Sequence, residues 1–326
     1  MTTFDDARPS VARPHATAGM PAHHKAIFAG LLLLLIVLPW FVYPVLVMKV
    51  MCFALFASAF NLLLGYGGLL SFGHAAYFGS ASYVTAHAAK IWGLTPELAV
   101  LTGTAAAALL GLVIGSLAIR RQGIYFAMVT LAFAQMAYFA ALQLEFTGGE
   151  DGIQSVPRND LFGLIPLQSN TSLYFFVLVI TFGGILLIHR IVHSPFGQVL
   201  KAIRENEPRA MSLGYRVNRY KLIVFTLSAT LAGLAGATKS QVFQLATLTD
   251  VHWTMSGEVV LMTLLGGMGT IFGPLVGAAI IVTMQNYLAT LGAWVTVIQG
   301  VIFVLSVLLF REGVMGLLAK WFRKPL

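Results

Sequence analysis

The sequence predicts an all-α polytopic membrane protein of about ten membrane-crossing or broken helices. Composition is the first reason: of 326 residues, 58% are hydrophobic and only 10% charged, against roughly 45–50% and about 25% in an ordinary soluble domain. Arrangement is the second, because the apolar residues come in long runs and mean hydropathy reaches +0.84. The third is where the charges fall. A net charge of +8 would point to nucleic acid in a soluble chain, but here the basic residues stand mostly between apolar runs, as positive-inside loops do. A soluble enzyme, a disordered chain and a nucleic-acid binder are set aside on these grounds.

Taken in order, residues 1–26 carry both charge signs and three prolines without an apolar period, and are expected to form a flexible cytoplasmic tail. Lys25 with the apolar run 27–38 resembles a signal peptide. Yet no small-residue cleavage site follows, and Pro39-Trp40-Phe41 lead into further apolar sequence. The first span is read as uncleaved. Spans are predicted over 27–47, 50–65, 70–90, 97–118, 123–145, 171–190, 220–243, 256–267, 273–290 and 294–310, each weighed against the roughly 20 apolar residues a crossing needs. The eighth is too short to cross alone and is expected to be broken or re-entrant. A basic cytoplasmic tail, 311–326, follows.

Charge orients the bundle. Segment 189–221 holds Arg190, Lys201, Arg204, Arg209, Arg216, Arg219 and Lys221 against Glu205 and Glu207. Arg120-Arg121 mark another turn, and Arg311, Lys320, Arg323 and Lys324 the C-terminal tail. Segment 145–170 carries Glu145, Glu150, Asp151 and Asp160 against Arg158. Positive loops face the cytoplasm, so 189–221 is expected inside, 145–170 outside, and both termini cytoplasmic. The one cysteine, Cys52, excludes an intramolecular disulfide and a cysteine metal cluster. The eight histidines are scattered, so no metal site and no cofactor are expected.

Two glycine-rich interruptions stand out, one in each half: Gly65-Tyr66-Gly67-Gly68-Leu69-Leu70-Ser71-Phe72-Gly73-His74 and Gly266-Gly267-Met268-Gly269-Thr270-Ile271-Phe272-Gly273-Pro274. A broken helix frees backbone N–H and C=O groups, which hydrocarbon tolerates only when protein or a polar cavity satisfies them. Paired breaks in the two halves point to a transport pathway. The competing reading is close helix packing, since Gly111/Gly115 and Gly269/Gly273/Gly277 have GxxxG spacing. Asn61, Gly65, Gly67, Gly68, Ser71, His74 and Glu258 are the candidate pathway residues. For His74 a packing role is the favoured reading, and for Asn61 and Ser71 helix–helix hydrogen bonding serves equally well.

The stretch 194–214 reads differently. Ser194-Pro195 is an N-cap followed by proline in the first turn, Pro208 disfavours helix at Glu207, and Gly214 suits a left-handed stop. Two short helices outside the bilayer are predicted, the first burying Val199, Leu200 and Ile203. Such a basic amphipathic pair can also rest on anionic lipid headgroups.

Glu207-Pro208-Arg209-Ala210-Met211-Ser212-Leu213-Gly214 resembles the "EAA" loop of ABC importer permeases. The run 61–76 resembles the early signature of branched-chain amino acid ABC transporter permeases. So do Thr147-Gly148-Gly149 with Asp151-Gly152, the run 194–206, Leu231-Ala232-Gly233-Leu234-Ala235-Gly236, and the second glycine-rich break. The resemblance covers roughly residues 27–320 and is closest to the M-type partner of the two permeases. It implies a permease domain over 27–310 with a coupling loop at 191–219, in a bacterial inner membrane. It further implies a second homologous permease as heterodimer partner, two cytoplasmic ATPases and a periplasmic solute-binding protein. Arg204, Glu205, Glu207, Ala210 and Gly214 become the ATPase-coupling candidates. No GxxxxGK[ST] pattern occurs, so ATP hydrolysis is expected on the partners. Lys239 departs from the family pattern, which often has an uncharged residue near this position.

Among single residues, Lys239 with Glu258 or Asp250 forms a candidate pair near the outer mouth, against interfacial snorkelling, which is the favoured reading. Glu97 after Pro96 suits a helix start, and Trp40, Tyr43 and Trp92 read as interfacial belts. The solute class expected is branched-chain or related hydrophobic amino acids, with urea, amides or aromatic acids as alternatives. An ion-gradient transporter is the mechanistic rival. It wants buried carboxylates along its path, and apart from Glu258 the spans offer few.

Overall fold

The apolar runs become helices, and glycine and proline decide where they stop. The structure, a computed structural model, describes residues 22–292, 294–309 and 313–316. Most of the two predicted tails, including Arg311, Lys320, Arg323 and Lys324, lies outside the described residues. The helices are α1 (Ala22–Val37), α2 (Pro44–Asn61), α3 (His74–Lys90), α4 (Pro96–Ala118), α5 (Ile124–Gln143) and α6 (Asn170–His193). They continue as α7 (Pro195–Glu205), α8 (Glu207–Ser212), α9 (Val217–Phe243), α10 (Leu248–Val251), α11 (Trp253–Gly266), α12 (Gly273–Leu288) and α13 (Trp294–Leu309). Two short strands, β1 (Ile153–Gln154) and β2 (Leu245–Ala246), pair antiparallel with Ile153 opposite Ala246.

Among the described residues, five helices are long and apolar enough to cross a membrane: α2 with its π-helical extension to Tyr66, α4, α5, α6 and α9. The chain is an all-α polytopic membrane protein. The first predicted boundary moves. Instead of spans over 27–47 and 50–65, the first helix ends in a 3-10 turn at Leu38–Trp40 and the second starts at Pro44. Proline at the first helical position gives up only an N–H that is unpaired there anyway. Exposed Trp40, Phe41 and Tyr43 build the turn, between Pro39 and Pro44.

α9 is the hub, packed on α2, α3 and α4. Small residues let the backbones approach: a Cβ at Gly236 would collide with the Phe78 carbonyl, one at Gly233 with Ala107, and one at Gly111 with Ala229. Gly111 and Gly115 are thus packing residues of the α4–α9 contact, as in small-residue membrane packing generally. The aromatic core of Phe56, Phe60, Tyr77, Phe78, Phe126 and Phe225 fills the centre.

The two ends of the bundle differ. Helices α7 and α8 lie between α6 and α9 at the basic end. The acidic segment 145–169, the β1–β2 pair and α10 cluster at the opposite end, where Arg158 caps the last turn of α9. Its Nη2 donates to the Val242 carbonyl at 2.6 Å and its Nε to that of Gln241 at 3.3 Å. Burial lowers the Arg158 pKa from its ordinary value, but a guanidinium stays charged throughout the physiological range.

Candidate functional site

The two glycine-rich breaks meet at the basic end, and a side chain of α7 joins them. α2 widens into a π-helical turn at Leu62–Tyr66, a feature often found at functional sites. The N–H of Leu69 then goes to the Leu63 carbonyl at 3.2 Å. The Gly65 carbonyl therefore has no partner from the next turn, and an unpaired backbone carbonyl wants a donor. Arg204 Nη1 donates to it.

The second break, between α11 and α12, is satisfied by a side chain from α2. Asn61 Nδ2 donates to the Thr270 carbonyl at 2.7 Å, and the Gly269 N–H donates to Asn61 Oδ1 at 2.9 Å. Thr270 Oγ1 closes the turn by donating to the Gly267 carbonyl at 2.8 Å and accepting from the Gly273 N–H at 3.1 Å. Residues 313–316 return to this break, with Gly313 against Gly267.

Glycine is required at the contact for steric reasons. A Cβ on Gly65 would lie 2.8 Å from the Gly269 nitrogen and collide with Asn61 Oδ1. Gly68 has φ +69° and would place a Cβ 3.0 Å from Arg204 Cγ. Neither the conformation nor the space admits a side chain. Beside this break a cavity of about 470 Å³ opens between Gly68, Leu70 and Phe72 on one side and Gly123, Ile124 and Ala127 on the other.

The amphipathic pair folds from local signals. Ser194 Oγ accepts from the Gly197 N–H at 3.3 Å, and Asn206 Oδ1 accepts from the Arg209 N–H at 3.0 Å, so each helix has its N-cap. α8 ends with the Tyr215 N–H on the Ala210 carbonyl and the Gly214 N–H on that of Met211. This is a Schellman stop with Gly214 left-handed at φ +87°. Leu200 and Ile203 are buried, and Val199 packs against the cluster that holds Ile203.

The coupling candidates fall into separate roles. Arg204 faces the breaks. Glu207 forms an ion pair with Lys221 at 2.7 Å and accepts from Gln122 Nε2 at 3.1 Å, and Ala210 is buried beside Ile203 and Val217. These contacts fasten α8 to the bundle. Glu205 and Gly214 are exposed. The exposed apolar side chains of the segment, Met211, Leu213 and Tyr215, were not singled out from sequence. The signal was there: apolar residues in a charged stretch, off the buried face.

The pathway candidates divide as well. Asn61, Gly65 and Gly68 belong to the junction, and Gly67 packs against the Leu63 carbonyl and Val224. Ser71 is buried and accepts from the Gly73 N–H at 3.2 Å. His74 is buried with Nε2 at 2.8 Å from Ser228 Oγ, which itself donates to the Ala59 carbonyl. That network assigns the proton to Nε2, and Phe60 and Tyr77 pack edge-on to the ring. Glu258 is not at the junction. It lies toward the other end of α11 and accepts from Gln285 Nε2 at 3.2 Å.

Lys239 corrects the snorkelling reading. Its ammonium is buried and donates to both oxygens of buried Asp250, at 2.8 and 2.7 Å. Asp250 also accepts from the Thr247 N–H at 3.3 Å and closes a capping box on α10. The chain reversal after α9 carries the carboxylate back over the lysine, so Lys239 pairs with Asp250 and not with Glu258.

The family model described as branched-chain amino acid transport system / permease component matches residues 44–307. The chain belongs to this family. Within it, the chain is 26% identical over 288 residues to the high-affinity branched-chain amino acid transport system permease protein LivM of Escherichia coli K12, covering 81% of this chain and 68% of that protein. The Salmonella typhimurium protein of the same name is 27% identical over 293 residues, with the same coverage. The ribose import permease protein RbsC of Bacillus subtilis is 32% identical over 195 residues, 55% of this chain and 58% of that protein. No solved structure matches significantly. The protein is a multi-pass permease of the ABC type.

Proposed function

We propose that this permease is the membrane subunit of an ATP-driven importer of branched-chain or related hydrophobic amino acids. It works with a second homologous permease, two cytoplasmic ATPases and a periplasmic solute-binding protein. The basic end faces the cytoplasm of a bacterial inner membrane, as the positive-inside rule requires, which leaves both termini cytoplasmic. The segment 191–219 receives the ATPase on Met211, Leu213 and the charges around them, and Arg204 passes its movement to both helix breaks. The observation that carries this reading is the Arg204 contact with the Gly65 carbonyl at the place where Asn61 ties the two breaks together. A short helix held to a two-state bundle by such contacts biases it through differential contacts in the two states.

The solute class rests on relatives named for branched-chain amino acids that cover most of the chain, while a ribose permease matches over a shorter stretch. Uptake of labelled leucine, isoleucine, valine, phenylalanine, ribose, urea and benzoate in cells lacking the gene and in complemented cells tests it. Leucine-class uptake should return on complementation and vanish on ATP depletion with the ion gradient held. Uptake that follows the ion gradient instead would contradict the ABC mechanism here, and restored uptake of another solute would replace the substrate.

A further inference from the structure

At the end opposite the junction, the same three helices that carry the two breaks present one unpaired cation and one unpaired anion. α2, α11 and α12 pack on one another. Lys49 lies on α2, Glu258 on α11 and Gln285 on α12, and all three are half-buried. Glu258 Oε2 accepts from Gln285 Nε2 at 3.2 Å, which orients the carboxylate without neutralising it. Lys49 and Glu258 lie within electrostatic range of each other. Yet among the described residues, no hydrogen bond or ion pair engages the Lys49 ammonium. The third charge nearby, Lys239, is taken up by both oxygens of Asp250 and is not available to Glu258.

Ionisable groups within membrane helices are costly unless paired. The bundle resolves that cost for Lys239 with a direct partner and does not do so for Lys49 and Glu258. An ammonium on one helix and an oriented carboxylate on the next are complementary to a zwitterion, whose carboxylate and ammonium are adjacent. We infer that Lys49, Glu258 and Gln285 form an outer site for the zwitterionic headgroup of the transported amino acid, with Lys49 holding the carboxylate and Glu258 the ammonium. The inference rests on the amino-acid reading above. It also gives the solute a means of acting on the junction. A headgroup bridging Lys49 and Glu258 draws α2 toward α11, and α2 and the α11–α12 turn are the two parts that Asn61 and Arg204 fasten at the other end.

The test is leucine uptake in the native host, from a deletion strain complemented with wild type, Lys49→Gln, Glu258→Gln, Lys49→Arg and the double Lys49→Gln/Glu258→Gln variant, normalised to membrane abundance. Each neutralising single variant should lose uptake about tenfold or more, as expected when a charged hydrogen bond is removed. Lys49→Arg should retain most of it, and the double variant should be no better than the worse single. Recovery in the double variant would make the two side chains partners of each other only and overturn the site, as would unimpaired uptake in both singles. Should a neutral variant fail to reach the membrane, Lys49→Cys with Cys52→Ala provides an independent readout. Its thiol should react faster with a cationic than an anionic thiosulfonate, and leucine should protect it; absence of both effects overturns the site. A wild type that imports no amino acid sinks the amino-acid reading and the site together. A wild type that imports leucine alongside unaffected variants sinks the site alone.

Discussion

The two ends of this bundle hold a basic side chain by opposite means, one buried and one exposed. At the end opposite the coupling pair, Lys239 is held by a carboxylate, Asp250, with 2.8 and 2.7 Å contacts to its two oxygens. At the basic end, Arg204 donates to the Gly65 carbonyl, which the π-helical turn of α2 leaves without a partner from the next turn. A carboxylate remains an acceptor in any state of the bundle. The Gly65 carbonyl would be shared with the Leu69 N–H if the turn rewound, which would weaken the Arg204 contact. The first contact therefore fixes structure, whereas the second is sensitive to conformation. That sensitivity is what a transmission element needs, because a contact present equally in both states shifts nothing.

The contrast makes its strongest prediction at Lys239. Asp250→Ala leaves a buried ammonium unpaired and should cost about 3–5 kcal/mol of stability, read by denaturant titration of the detergent-solubilised protein. Uptake should fall only in proportion to the folded protein remaining. The double variant Lys239→Met/Asp250→Leu should recover most of that loss, and a failure to recover would show that the pair does more than fill its own site.

At the junction the order reverses, with smaller stability costs and larger functional ones. Gly65→Ala pushes a methyl into Asn61 and the Gly269 nitrogen and should cost about 1–3 kcal/mol, as overpacking does. Asn61→Leu removes the 2.7 and 2.9 Å bonds to the second break and should cost about 2 kcal/mol through the orphaned backbone groups. Both should depress uptake more than folded protein. An Asn61→Leu variant with normal uptake per folded molecule would separate the two breaks functionally. The smallest effect belongs to Glu207→Gln. Its pair with Lys221 is partly exposed, so a change of about 1 kcal/mol or less is expected, with uptake nearly preserved.

What the sequence disclosed was local. Ser194, Pro195, Pro208 and Gly214 are adjacent to what they control, so both short helices and the final stop were legible, whereas the Asn206 cap of the second helix was found only in the structure. The glycine runs likewise marked the two breaks. The junction was not legible, because its contacts join residues far apart in sequence: Arg204 and Gly65 are separated by 139 positions, and Asn61 and Thr270 by 209. Arg204 was expected among the ATPase-coupling residues, and the structure turns its guanidinium toward the membrane breaks. The Lys239–Asp250 pair spans only 11 positions but depends on a chain reversal through β2 and α10 that no periodicity reveals. The turn before Pro44 was placed a few residues late, although Pro39 and Pro44 flank it in the sequence.

The proposed role of Arg204 is to join the α7–α8 pair to the helix breaks. Its most direct test compares ATP hydrolysis with leucine uptake in the assembled transporter carrying Arg204→Glu. The account predicts normal membrane abundance, continuing ATP hydrolysis and uptake reduced about tenfold or more, as expected on losing a charged hydrogen bond. Uptake that keeps its wild-type ratio to ATP hydrolysis would contradict it.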